Sequence, residues 1–136
     1  MEELGDILKT GAGGTPLKSH KEYYESGSIS WLMSGAVNTK EILSSDTFIT
    51  QQGLENSSAK LFPSGTVLIA MYGATAGQVG ILRFEAATNQ AVCGIYPDQR
   101  YMPEFLYYYF SAKKNELLKK AVATELALVI ANIRLC

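Results

Sequence analysis

At 136 residues, 47% of them hydrophobic, the chain has the length and apolar content for one domain with a core of its own. Its 12 basic residues are outweighed by 13 acidic ones, a formal net charge of −1, which excludes the broad basic excess of an autonomous nucleic-acid binder. The longest unbroken apolar run, residues 126–131, is too short to span a bilayer, and residues 1–9 lack the apolar stretch of a signal peptide, so a cytoplasmic location without membrane contact is expected.

After a short lead-in, Thr10-Gly11-Ala12-Gly13-Gly14-Thr15-Pro16 reads as a flexible loop whose glycines and proline leave no room for a regular element. It lacks the Lys-[Ser/Thr] pair of a P-loop, so its glycines point to special backbone geometry or to close approach of a partner. Residues 19–25 suggest a short helical turn ending at Gly27. Residues 28–33 alternate polar and apolar and carry the only tryptophan, Trp31, the pattern of a half-buried strand with Trp31 as a core anchor. Residues 39–43 read as a helical turn, 48–50 as a short extended piece, and 53–65 as an irregular approach to the centre of the chain.

Residues 60–97 hold the densest β-forming sequence, with strands expected at 66–72, 79–84 and 91–96. Runs so apolar, with little alternation, suit strands covered on both faces. The glycine loop between the first two, Gly73 to Gln78, is not a phosphate cradle: its spacing fits neither dinucleotide nor P-loop motif, and a strand follows it where a helix would have to begin. Beyond Pro97 the period changes. Pro103 and Glu104 mark a helix start, and Phe105, Leu106, Tyr109, Phe110, Leu117 and Leu118 recur near helical spacing. The segment from Ala121 to Cys136 is apolar and carries no stop signal.

Residues able to do chemistry are few. His20 is the only histidine and lies among lysines without a nucleophile or ligand partner, which argues against catalysis despite the aptness of histidine for acid/base work. Cys93 and Cys136 have no metal-ligand spacing, and Cys93 reads as a small buried residue inside a strand. No nucleophile elbow, metal cluster or paired acid/base signature is visible. Lysines are nonetheless uneven: Lys9, Lys18 and Lys21 stand without an acid between residues 7 and 21, and Lys113, Lys114, Lys119 and Lys120 meet only Glu116, giving either two local basic surfaces or ordinary solvated faces.

Several landmarks then fall in a telling order: Leu4-Gly5-Asp6-Ile7, Gly13-Gly14-Thr15-Pro16, Tyr23-Tyr24 with Gly27 and Ile29-Ser30-Trp31, and Gly53-Leu54 with Ser57-Ser58-Ala59-Lys60. Pro63-Ser64-Gly65-Thr66-Val67-Leu68, Gly73-Ala74-Thr75-Ala76-Gly77, Thr88-Asn89-Gln90-Ala91-Val92 and Glu104-Phe105-Leu106-Tyr107-Tyr108 follow. Each is weak alone. In this order over about residues 4–120 they resemble one target recognition domain of a type I restriction-modification specificity subunit.

That resemblance implies a single α+β domain, with a mixed, largely antiparallel curved sheet and one long C-terminal helix packed on it. Residues 1–120 would form the target recognition domain. Residues 121–136 depart from the family's usual ending, a glycine-containing turn and short strand, as truncation or a shifted frame would cause. It implies half of a specificity subunit that has no catalytic centre or cofactor. S-adenosylmethionine, ATP and Mg²⁺ would act on partners, a modification (methyltransferase) subunit and, through it, a restriction subunit. In complete subunits two such domains, separated by an antiparallel coiled coil, read the halves of a split site on double-stranded DNA; no heptad-patterned spacer of that length is present here. The DNA-contacting set is expected to comprise Gly13, Gly14, Thr15, Lys18, His20, Lys21, Tyr24, Tyr72, Thr75 and Gln78, with loop groups approaching phosphates or base edges and Lys18 and Lys21 neutralising phosphates. Asn89 and Gln90 are suited to pair with adenine, but belong to the shared motif, which favours a structural hydrogen-bonding role. The apolar residues 126–133 are expected to promote self-association. The rival reading is a standalone protein-interaction or small-ligand module built on the aromatic cluster of residues 107–110.

Overall fold

The computed structural model describes residues 8–72 and 74–118. In chain order the elements are β1 (Thr10–Ala12), β2 (Ile29–Leu32), β3 (Glu41–Ile42), β4 (Phe48–Ile49), helix α1 (Gln51–Glu55), β5 (Val67–Ala70), β6 (Val79–Leu82), β7 (Ala87–Thr88), β8 (Val92–Ile95) and helix α2 (Pro103–Leu118), with 3-10 turns at Lys21–Tyr23 and Ser34–Ala36. They form not one sheet but two, a five-stranded sheet in the order β1-β8-β5-β6-β3 and a three-stranded sheet in the order β4-β2-β7. Pairing is antiparallel except for β3 with β6 and β2 with β7. The mixed, largely antiparallel α+β architecture expected from the sequence is therefore the one observed.

The three central strands lie where their apolar runs predict, and every residue of β5, β6 and β8 is buried. Alternation along a strand sends successive side chains to opposite faces, and here both faces are covered. Val67, Ile69, Val79, Ile81, Cys93 and Ile95 meet Leu106 and Phe110 of α2. On the other face Leu68, Leu82 and Val92 meet Leu32, Val37, Ile42 and Phe62. Two glycines make this second contact possible. Leu68 is flanked across the ladder by Gly80 and Gly94; a Cβ on Gly94 would stand 2.6 Å from Phe62 Cε1, and one on Gly80 would stand 2.7 Å from Ile42 Cδ1.

Three local readings are corrected. The glycine-rich segment after residue 9 is regular at its start: β1 pairs Gly11 with Gly94 and Ala12 with Cys93, because an edge ladder needs backbone groups and the open edge of β8 supplies them, overriding a poor strand propensity. Residues 39–43 form no helical turn. Glu41 and Ile42 join β6 in parallel, with Ile42 drawn into the core. Helix α1, Gln51–Glu55, runs into the stretch from residue 53 read as irregular. Thr50 caps it by accepting a hydrogen bond from Gly53 N at 3.0 Å, a cap signal present in the sequence but masked by the low helix propensity of Gly53. That glycine is needed for contact, since a Cβ on it would lie 2.7 Å from Tyr23 O.

Helix α2 carries the aromatic cluster, and the cluster divides. Phe110 is buried while Tyr107 and Tyr109 pack partly against the core. Tyr108 is exposed and accepts a hydrogen bond from Lys40 Nζ at 2.9 Å. The helix is tied to the sheet edge by Arg83, which donates to both Glu41 of β3 and Glu104 of α2. Hydrogen bonding to Arg83 lowers the pKa of each carboxylate from its ordinary 4.5, and Asp98 is lowered to about 2 by Arg100. Because the folded-state values lie below the unfolded ones, the unfolded chain binds more protons in acid. The contribution of the Arg83 pairs is complete above pH 4.5 and disappears as pH falls through the lowered values. Urea midpoints measured between about pH 6 and 3 are expected to fall less steeply for Arg83→Met than for the natural chain; superimposable profiles would assign the acid sensitivity elsewhere.

Candidate nucleic-acid interface

Strand direction gathers the loops. β1 and β5 both run antiparallel to β8, and β6 runs antiparallel to β5, so β1 and β5 end at the same edge of the sheet where β6 and β8 begin. The segment after β1, the loop between β5 and β6 and the turn before β8 therefore share one rim. β2 ends there too: Leu32 O accepts from Asn89 N at 2.9 Å, and Gly14 N donates to Thr88 O at 2.9 Å. Loops positioned by a rigid scaffold in this way are where recognition residues concentrate.

The residues nominated from sequence are nearly all on this rim, but most of their polar groups serve the rim itself. Gly13 and Gly14 are buried, and their amides donate to Val92 O and Thr88 O. A Cβ on Gly13 would lie 2.3 Å from Thr88 O and from Asn89 O, and one on Gly14 would lie 2.6 Å from Ala59 N. The partner that these glycines admit is the chain's own backbone. The Thr15 hydroxyl donates to Gln90 Oε1, and Tyr72, half exposed, donates to Gln90 O at 2.9 Å. Gln90 thus bridges two nominated residues, while Asn89 Oδ1 accepts from Ala91 N at 3.2 Å, the structural role expected for it. Thr75 donates to Ser34 O at 2.9 Å, and Gln78, at the end of that loop, is partly buried with its amide bonded to Thr75 O.

Beside this junction stands an aromatic-cationic corner. Trp31, almost fully buried, donates from Nε1 to Gly14 O at 3.0 Å, and Tyr24 meets it edge-on with ring centroids 6.3 Å apart. The Tyr24 hydroxyl donates to Pro16 O, and burial raises its pKa. Lys18 Nζ lies 5.0 Å from the centroid of the Tyr24 ring and 5.1 Å from that of Trp31, an arrangement in which the ring faces attract the cation. Lys21 is exposed. His20 stacks on Tyr23 with centroids 4.8 Å apart and pairs through Nδ1 with Glu22 at 2.9 Å. Sequence reasoning missed Lys60, whose ammonium donates to Ala12 O at 2.7 Å and holds the end of β1 where the rim begins. A lysine followed at once by a strand approach gives no sequence signal for this. Among the described residues no group of three or more His, Cys, Asp or Glu could hold a metal ion, and no helix is long and apolar enough to cross a membrane.

A sheet that holds several bonded loops along one rim is a scaffold on which binding residues can be carried. The chain belongs to the type I restriction modification DNA specificity domain family, which matches residues 1–134, and so to the specificity component of these systems rather than a catalytic one. It is 27% identical over 124 residues to the specificity subunit of type I restriction enzyme EcoR124I/EcoR124II of Escherichia coli, covering 89% of this chain and 31% of that protein. It is 32% identical over 123 residues to the MjaIX specificity subunit of Methanocaldococcus jannaschii, covering 88% of this chain and 28% of that one. The fold is similar to the crystal structure of the HsdS subunit from Thermoanaerobacter tengcongensis, with a TM-score of 0.64 at 16% identity over 97% of this chain and 36% of the other. The chain thus spans about a third of the length of these relatives. Residues 121–136, the atypical tail for which self-association is expected, lie outside the described residues.

Proposed function

We propose that the rim formed by residues 13–24, 74–78 and 88–91, with Tyr72, is the face that this domain lays on double-stranded DNA to read one half of a split target. The observation that carries it is the convergence of Thr15, Tyr72, Thr75, Gln78 and Gln90 on one edge of the sheet, beside Lys18 and with Lys21 exposed three residues further on, in a chain of the DNA specificity domain family. Phosphate contacts fix register and orientation, and base-edge contacts specify sequence. Lys18 and Lys21 belong to the first kind, so a near-neutral domain gains local attraction where it is needed. In this reading the domain directs a modification subunit using S-adenosylmethionine and, through it, an ATP- and Mg²⁺-dependent restriction subunit, and supplies none of their catalytic groups.

Selection from a randomised duplex pool tests the reading: enrichment of one short motif is expected, and no enrichment at low salt would overturn it. Lys18→Ala and Lys21→Ala are each expected to weaken binding to all sequences alike and to flatten the log–log salt dependence by about one unit. An unchanged slope would assign that lysine to solvent.

A further inference from the structure

Reading a base requires donors and acceptors that the fold has not already used. On the rim most are used: the hydroxyls of Thr15, Tyr24, Tyr72 and Thr75 and the amides of Gly13 and Gly14 all bond within the chain. Next to it lies a concavity of about 360 Å³ where this is not so. Its apolar wall is formed by Leu32, Met33 and Ala36, and its polar wall includes Asn38, Ser44 and Asp46. All three polar residues are exposed, and their side chains make no hydrogen bond among the described residues. The cavity adjoins the rim: its lining residue Leu32 accepts the Asn89 backbone amide through its carbonyl, and the carbonyl of neighbouring Ser34 accepts the Thr75 hydroxyl. The opposite wall is pinned to the end of β2, with Ser45 Oγ donating to Thr47 O at 2.8 Å and Trp31 N donating to Thr47 O at 3.0 Å.

We infer that this concavity is a base-reading site for an A·T pair in the major groove, an inference that rests on the rim's being the DNA face. An Asn side chain matches adenine, offering an acceptor to N6–H and a donor to N7, whereas an apolar side chain contacts the thymine methyl group that no other base displays. Asn38 supplies the first and Met33, a lining residue that is 46% exposed, supplies the second. Asp46, an acceptor only, favours an exocyclic amine beside the pair and repels a phosphate. The site thus separates base reading from Lys18 and Lys21, which hold the backbone.

The test uses the full chain and the motif enriched by selection. At one A·T position, replacing adenine by 7-deazaadenine or thymine by uracil is expected to weaken binding of the natural chain roughly tenfold or more. Asn38→Ala is expected to weaken the preference at that position alone and become insensitive to the 7-deaza change while keeping the uracil effect; Met33→Ala is expected to become insensitive to uracil and keep the 7-deaza effect. Asn38→Asp, which keeps size but removes the amide donors, serves if the alanine variant loses its fold by thermal melting. If the natural chain selects no motif, the proposed function itself fails. A motif kept unchanged by both Asn38 variants, or a loss of affinity equal at every position, overturns the A·T site and leaves that function standing.

Discussion

Phe62→Ala is expected to lower the unfolding free energy by about 3–5 kcal/mol, the cost of emptying a phenylalanine site in a well-packed core. For a domain of marginal stability that is a large share of the total. Phe62 is fully buried, its backbone bridges Ala86 in both directions, and its ring lies over Gly94 and beside Tyr96, 5.2 Å between centroids. It plugs the place where the two sheets approach. Urea unfolding measures the loss directly. The packing account makes a second demand: Gly94→Ala, which drives a methyl group toward the ring, should destabilise by about 1–3 kcal/mol by itself, and less when Phe62 is already Ala. Strict additivity of the two would refute ring-over-glycine packing, since only residues in contact show such coupling.

Gly13→Ala is the other severe change expected. The added carbon would meet the carbonyl oxygens of Thr88 and Asn89 and the Thr88 hydroxyl, and a backbone cannot yield as a flexible side chain does. A loss on the order of 3 kcal/mol is expected, together with loss of DNA binding, because the 88–91 turn displaced by the clash carries Gln90 and its bonds to Thr15 and Tyr72. Thermal melting without DNA separates two explanations of this glycine. A stable Gly13→Ala chain that only fails to bind would mean that the glycine admits DNA; instability without DNA means that it admits the protein's own turn.

The central strands and α2 were legible because their signals are local and strong. Apolar runs at 67–70, 79–82 and 92–95 are bounded by glycine, asparagine and proline, and Pro103-Glu104 opens a run at helical spacing. Family membership was legible for a different reason: many weak motifs in fixed order are jointly specific, and the match over residues 1–134 agrees with them.

What only the tertiary structure decided lies in elements too short to carry a pattern and in the destination of hydrogen bonds. β1 and β3, three and two residues long, exist because β8 and β6 offer open edges, and the ladder, not the side chains, fixes them. The rim residues show the same limit. Sequence nominated Gly13, Thr15, Tyr72 and Thr75 by residue type, yet type does not say whether a hydroxyl or amide faces a ligand or its own chain. That is settled by partners distant in sequence, Gln90 for Thr15 and Ser34 for Thr75. The uncommitted groups Asn38 and Asp46 lie in a stretch with no motif at all. The sequence determined which segments are core and which family they serve; folding determined which polar groups remain for a partner, because a hydrogen-bonding group satisfied inside the protein is no longer available to read a base.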